Sequence, residues 1–207
     1  MKHKIVSVDK YGKVERLRLK DQKMLLLIRD GITKRVKDSD SILEIGTGIQ
    51  AVLARQILEG LQRKNVDFLL TDIDPGAVAE AKNSVKEYIN VNVVEGDLFS
   101  IVPSEKQFNI IFWNPPWYDS FREDKHNGPA YLDEKGYKNV RLFLQQAPKY
   151  LQPGGSVFIV FPMEQSAFLW DEAEKLGLDI DDHLSYSTEK RRIVLYEFTV
   201  PETLDVH

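Results

Sequence analysis

Between Ser41 and Phe161, short apolar runs of strand length alternate with segments of helical periodicity, and few folds accommodate that alternation. "SILEIG" reads as a buried strand, "IQAVLARQILEGL" as a helix, "VDFLLTD" as a strand, "PGAVAEAKNSVKEY" as a helix and "VNVVEGD" as a strand. "FNIIFW" continues the series. After a polar stretch, "YKNVRLFLQQAPKYL" is helical, Pro153-Gly154-Gly155 is expected to break the chain, and "SVFIVF" is a further strand. A helix from about Gln165 to Leu176 follows, and "RRIVLYEFTV" closes the chain as a strand near an edge. Strands that alternate with helices require right-handed crossovers, hence a mostly parallel sheet with helices on both faces: a doubly wound α/β architecture. Ligands bind such sheets at the carboxyl ends of the strands, so the residues that terminate strands carry the functional information.

Ahead of this series, "KIVSV" and "VERLRL" flank a Lys10-Tyr11-Gly12-Lys13 turn and read as a hairpin. Apolar residues at Met24, Leu25, Leu27, Ile28 and Ile32 mark a helix from Asp21 to about Val36. Residues 1–38 are therefore expected to form a hairpin-and-helix extension, and residues 39–207 the α/β domain. The extension carries 12 Lys and Arg against 5 Asp and Glu, a net +7, whereas the remainder carries 16 against 27, a net −11. A solvated basic face is the plainer account of that asymmetry; an RNA contact is the functional one.

With 207 residues, 43% of them hydrophobic, the chain can bury the core of one domain. It has no apolar run of membrane-spanning length, and Met1 to Lys10 lacks the apolar segment of a signal peptide, so no membrane partner is expected and the cytoplasm is the default location. The absence of cysteine excludes disulfides, a thiolate nucleophile and a thiolate metal site. His3, His126, His183 and His207 are scattered without ligand spacing, so no metal is expected.

Three strand ends describe a nucleoside pocket. In "LEIGTGIQAVLA", Gly46 and Gly48 let the backbone turn sharply and approach a ligand, and the next helix aims its free N–H groups at the same place. In "LLTDIDPGAVAEAKN", Asp72 lies roughly 20 residues past the glycines, where a carboxylate can accept from both ribose hydroxyls. Asp74 is better placed as a helix N-cap ahead of Pro75. In "VVEGDLF", Asp97 can accept from the amino group of an adenine, although a turn acid is the plainer account. Two enzyme classes use such a pocket, nicotinamide-dependent oxidoreductases and methyltransferases using S-adenosylmethionine. Glu44, two residues before Gly46, would repel a pyrophosphate and suit the ammonium and sulfonium of the second cofactor.

The fourth strand end reads "FNIIFWNPPWY", an apolar run stopped by an Asn and two prolines. Here the chain resembles the class I methyltransferases of the amino-methylating kind, whose signature is Asn/Asp/Ser-Pro-Pro-aromatic. The resemblance covers about Ile42 to Phe161, with Glu44-x-Gly46-x-Gly48, Asp72, Asp97 and Asn114-Pro115-Pro116-Trp117 in the family's order. It implies a Rossmann-like seven-stranded sheet and S-adenosylmethionine as cofactor. It implies a cofactor set of Glu44, Gly46, Thr47, Gly48, Asp72, Ile73, Asp97 and Leu98, and a catalytic set of Asn114, Pro115, Pro116 and Trp117. An amide or exocyclic amino nitrogen shares its lone pair with a π system. The Asn114 oxygen and the Pro115 carbonyl can each accept one of its N–H groups and favour the pyramidal geometry of the transition state, while Trp117 offers a flat face for stacking. Gln50 stands where many members carry a third glycine.

The polar segment 118–136 is too long for an ordinary connection and is the expected place of substrate choice; His126 within it reads as an exposed loop residue. The release-factor glutamine methyltransferases are similar here, with a downstream Gly, a helix and Pro-Gly-Gly, although residues 1–38 read as a hairpin and helix rather than as the large N-terminal substrate domain of the bacterial kind. Two substrate classes follow, a protein glutamine amide and an amino group of a nucleic-acid base, together with the option of an activating partner. The competing account is a non-catalytic cofactor-binding subunit.

Overall fold

The computed structural model describes residues 19–61, 65–119, 136–187 and 192–201, together with the short strands at 6–8, 14–16 and 132–133. The chain runs β1 (Val6–Val8), β2 (Val14–Arg16), α1 (Leu19–Arg35), β3 (Ser41–Ile45), α2 (Val52–Leu61), β4 (Asp67–Asp72), α3 (Pro75–Val85), β5 (Val91–Glu95) and β6 (Phe108–Trp113). It continues through β7 (Tyr118–Asp119), β8 (Leu132–Asp133), α4 (Lys138–Gln146), a 3₁₀ turn (Ala147–Tyr150), β9 (Leu151–Pro162), a second 3₁₀ turn (Met163–Gln165), α5 (Ala167–Leu176), β10 (Asp179–Ser187) and β11 (Arg192–Thr199). Side chains are described from Lys23 on, apart from those of residues 118–119, 132–133 and 182–183. The Lys10–Lys13 turn, His3, His126 and His207 lie outside the described residues, as do the basic side chains before Lys23.

Seven strands form one sheet in the order β10-β11-β9-β6-β3-β4-β5. β11 runs antiparallel to both of its neighbours, and the pairs from β9 to β5 are parallel. From β3 the chain steps outward to β4 and β5, then returns to the other side of β3 as β6. The order reverses between β3 and β6, the kind of point where a crevice opens at the carboxyl ends of the strands.

Apolar side chains of β3 and β6 alternate between two cores. Ile42, Ile110 and Phe112 pack with Leu25, Ile28 and Ile32 of α1 and with buried residues of α2 and α3. Leu43, Ile45, Phe108, Ile111 and Trp113 pack with Val140, Phe143 and Leu144 of α4 and Leu169 and Ala173 of α5. Burial on both faces is why "FNIIFW" reads as a continuous apolar run rather than as an alternating one.

Two elements depart from the sequence reading. Pro153-Gly154-Gly155 does not break the chain but lies inside β9. Phe108 pairs with Leu151 and Ile110 with Ser156, so the residues between bulge out of the ladder and pairing then resumes. Gly155 is required there, since a Cβ would lie 2.8 Å from the Asn109 carbonyl oxygen. The strand near the edge, β11, is one place in from it; the edge is β10, which the sequence reading passed over.

Helix α1 is fixed to the far side of the sheet by charge as well as by packing. The Arg35 guanidinium donates to Glu197 Oε2 at 2.8 Å, and the Ser156 hydroxyl donates to Oε1 at 2.7 Å, which holds a buried carboxylate between α1, β9 and β11. Arg35 is half-exposed, so water recovers part of its loss. Arg35→Ala should therefore lower stability by about 1–2 kcal/mol. An unchanged midpoint of urea unfolding would contradict that.

Candidate active site

The carboxyl ends of β3, β4 and β5 are stitched together by backbone hydrogen bonds. Thr47 N–H donates to the Thr71 carbonyl at 2.9 Å and Gly96 N–H to the Asp72 carbonyl at 2.9 Å. The Asp72 side chain adds two more, accepting from Gly48 N–H at 2.8 Å and from Asp74 N–H at 3.0 Å. Each carboxylate oxygen keeps a second lone pair. Asp74 caps α3 by accepting from Gly76 and Ala77 N–H, as its place before Pro75 suggests.

The loop after β3 is left-handed at four of six positions: Gly46 (φ +63°), Gly48 (φ +67°), Gln50 (φ +77°) and Ala51 (φ +47°). At Gly46 a side chain is excluded twice over, by φ and by space, because a Cβ would lie 2.9 Å from the indole nitrogen of Trp113. Gln50, at the place of the family's third glycine, adopts the conformation a glycine would take and bears the strain of doing so.

Glu44 lies beneath this loop, only 3% exposed. The Thr47 hydroxyl donates to its Oε2 at 2.7 Å. Among the described residues no cation pairs with it. Burial pushes its carboxyl up to about 8; the Thr47 hydrogen bond offsets part of that, and the charge of Asp72 adds to it. Its Oε1 has no partner among the described residues, where every fully buried side-chain polar atom has one, so Oε1 reaches the remaining accessible surface.

At the rim, Ile73 is 67% exposed beside Asp72, an apolar side chain that the described residues leave largely uncovered. Asp97 is exposed just past β5, and Leu98 beside it is left-handed (φ +47°) and half-buried. The Asp97 N–H is held by the Ser100 hydroxyl oxygen at 3.0 Å.

Beyond β6, Asn114 is exposed, Pro115 buried, and Pro116 and Trp117 half-buried. The Trp117 indole N–H donates to both Asn114 Oδ1 and the Val160 carbonyl, each at 3.1 Å. Its ring packs against both cores. Trp117 is thus an anchor that orients Asn114, a role beyond the stacking face read from sequence. Asn114 Oδ1 keeps one lone pair. The segment after Trp117 is pinned at its ends by parallel pairing of Tyr118 with Leu132 and Asp119 with Asp133; residues 120–131 lie outside the described residues. Tyr137, which immediately precedes α4, stacks on Phe168 at 4.6 Å and donates its hydroxyl hydrogen to Gln165.

The sequence-derived residues thus gather at one end of the sheet, Glu44 and Asp72 within the last two residues of β3 and β4 and the others on the loops after β3, β4, β5 and β6. Two residues missed in sequence join them. Val160 contributes a backbone carbonyl, for which an apolar strand residue carries no signal. Trp113 was read as a core strand residue, and its place directly before Asn114 was the available clue.

Residues 23–169 match the family described as methyltransferase small domain. The release factor glutamine methyltransferase of Pasteurella multocida is 29% identical over 152 residues, 66% of this chain and 48% of that protein. The tRNA1(Val) (adenine(37)-N6)-methyltransferase of Trichodesmium erythraeum is 24% identical over 147 residues, 69% of this chain and 61% of that protein. The chain therefore spans about half to three-fifths of the length of these relatives. Among solved structures, a methyltransferase from Pyrococcus furiosus shares the fold with a TM-score of 0.63 at 21% identity, covering 93% of this chain and 88% of that one.

The raised pKa of Glu44 has a sign that can be measured. Its folded value, about 8, lies above the ordinary 4.5, so its contribution to stability is full below about pH 4.5 and is lost as pH rises through about 8. Thermal unfolding of the free protein across that window should show this loss, and Glu44→Gln should flatten it. An equal slope in the variant would mean that another group is responsible.

Proposed function

The chain belongs to the methyltransferase small domain family, and on that premise we propose that it is an S-adenosylmethionine-dependent N-methyltransferase acting on a planar amide or exocyclic amino nitrogen. The observation that carries this reading is the placement of Asn114. It follows β6, whose last residue pairs in register with the last residue of β3, so its oxygen and the glycine loop lie at the same level of the sheet.

The residues at the strand ends fit the cofactor by chemistry. Asp72 would accept from the ribose hydroxyls and Asp97 from the adenine amino group. The uncovered Ile73, with Leu98, would lie against the adenine. Glu44, a buried acceptor with no cation partner among the described residues, would receive the ammonium, and Thr47 would keep its carboxylate oriented. Gly48, where a Cβ would meet nothing within 4 Å among the described residues, leaves the loop backbone open to the methionine moiety. When bound, this cofactor supplies a methyl group activated by a sulfonium.

The remaining work falls to Asn114 and its neighbours. The free lone pair of Asn114 Oδ1 and the Pro115 carbonyl would accept the two hydrogens of the target nitrogen, drawing its lone pair out of conjugation. Trp117 would hold Asn114 in place through its N–H, which limits the reorganisation required on substrate binding. Pro115 restrains Asn114 to extended backbone and carries no N–H that could compete. The proton becomes acidic once the nitrogen is methylated and passes to solvent without a strong base.

For the substrate, the protein glutamine amide is the first reading, supported by the similarity to release factor glutamine methyltransferases. A nucleic-acid base is the second, supported by the net +7 of residues 1–38, taken as an extension of the α/β domain, and by the similarity to a tRNA adenine methyltransferase. An activating partner and a cytoplasmic location belong to the same proposal.

Tritiated S-adenosylmethionine incubated with the protein and fractionated cell extract, with nuclease and protease controls, should label one macromolecular class. Asn114→Ala should leave cofactor affinity within about twofold and lower labelling by on the order of 10², the effect of losing one preorganised transition-state contact. Full labelling by a folded Asn114→Ala protein would make the motif structural.

A further inference from the structure

Two tryptophans flank the Asn-Pro-Pro turn, and their indole N–H groups have different fates. That of Trp117 is satisfied twice, by Asn114 and Val160. That of Trp113 has no acceptor among the described residues, although the side chain is only 6% exposed. Every fully buried side-chain polar atom among the described residues has a partner, so the Trp113 N–H must open onto the small accessible part of the residue. Gly46 shows which way that N–H points. A Cβ at Gly46 would lie 2.9 Å from Trp113 Nε1 and 3.4 Å from Cδ1, so the N–H edge of the ring faces the start of the glycine loop.

The rest of the ring is fixed in the core. It packs on Phe143 with centroids 5.1 Å apart, and its backbone is in register with Ile45. A rigid, nearly buried donor without a partner is costly unless a ligand supplies the acceptor. Glu44 and Trp113 lie on opposite faces of the sheet at the same end, one an acceptor and the other a donor, with Gly46 beside both. A ligand carrying an ammonium and a carboxylate on one carbon matches that pair.

We propose that Trp113 is a cofactor-binding residue whose indole N–H donates to the α-carboxylate of the amino-acid end of S-adenosylmethionine. The inference rests on the cofactor reading above and adds a residue to it. It also gives Gly46 a second reason to be glycine: a side chain there would cover the donor.

Calorimetry with two probes tests it. S-adenosylhomocysteine has the amino-acid end, and 5′-methylthioadenosine has the same nucleoside and a sulfur without it. Trp113→Phe should weaken S-adenosylhomocysteine roughly tenfold, the scale of one hydrogen bond to a charged group, and leave 5′-methylthioadenosine unchanged. Equal losses for both probes, or no loss for either, would overturn the proposal. Should the variant fail to fold, the ¹⁵N-labelled unaltered protein gives an independent readout. The Trp113 indole resonance should move downfield with S-adenosylhomocysteine and stay in place with 5′-methylthioadenosine. An unmoved resonance with S-adenosylhomocysteine bound overturns this inference alone. Failure of the unaltered protein to bind S-adenosylhomocysteine overturns it together with the cofactor reading.

Discussion

The parallel pairing of β3 with β6 positions everything else in the candidate site. Four successive residues of each strand pair, from Ile42 with Ile110 to Ile45 with Trp113, so both strands end at the same level. Immediately past them stand Gly46 on one strand and Asn114 on the other. A slip of one residue would turn Trp113 away from Gly46 and send the apolar set of β6 to the wrong cores, which strongly specifies the register. The helices on both faces supply that penalty: α1, α2 and α3 cover one side, and α4 and α5 the other.

At the mouth of this pair the fold departs from what stability alone would select. Among the described residues, a carboxyl without a cation is buried at Glu44, an indole donor without an acceptor is nearly buried at Trp113, and an isoleucine is left largely exposed at Ile73. Gln50 and Ala51 sit in left-handed backbone. Each is unfavourable in the free protein, and all of them adjoin the ends of β3, β4 and β6. Such a concentration of local costs is expected where a ligand completes the site.

Much of this was legible in the residues. The alternation from "SILEIG" to "SVFIVF" carried the sheet, because strands covered on both faces must be apolar throughout. The four strand ends were visible because Gly, Asp and Asn-Pro-Pro interrupt those runs. β10 was not legible. Its Asp179, Asp181 and Asp182 are poor strand formers, and they are admissible because the strand is an edge, where charge also discourages pairing with other chains. Pro153-Gly154-Gly155 was misread because a bulge and a chain break use the same residues. The inward turn of the Trp117 N–H and the opening of the Trp113 N–H were illegible too, since both depend on which side of β6 and β9 a ring falls.

The central claim is that one cofactor lies across the carboxyl ends of β3, β4 and β5 with Asn114 facing its reactive end. A crystal structure of the protein with S-adenosylhomocysteine tests it most directly. The account predicts the ribose on Asp72, the adenine between Ile73 and Leu98 with its amino group at Asp97, and the amino-acid end between Glu44 and Trp113. Density for the ligand at the opposite end of the sheet, in the cleft formed by Leu58, Tyr88 and Val91, would contradict it. So would a nucleoside at the strand ends whose sulfur points away from Asn114.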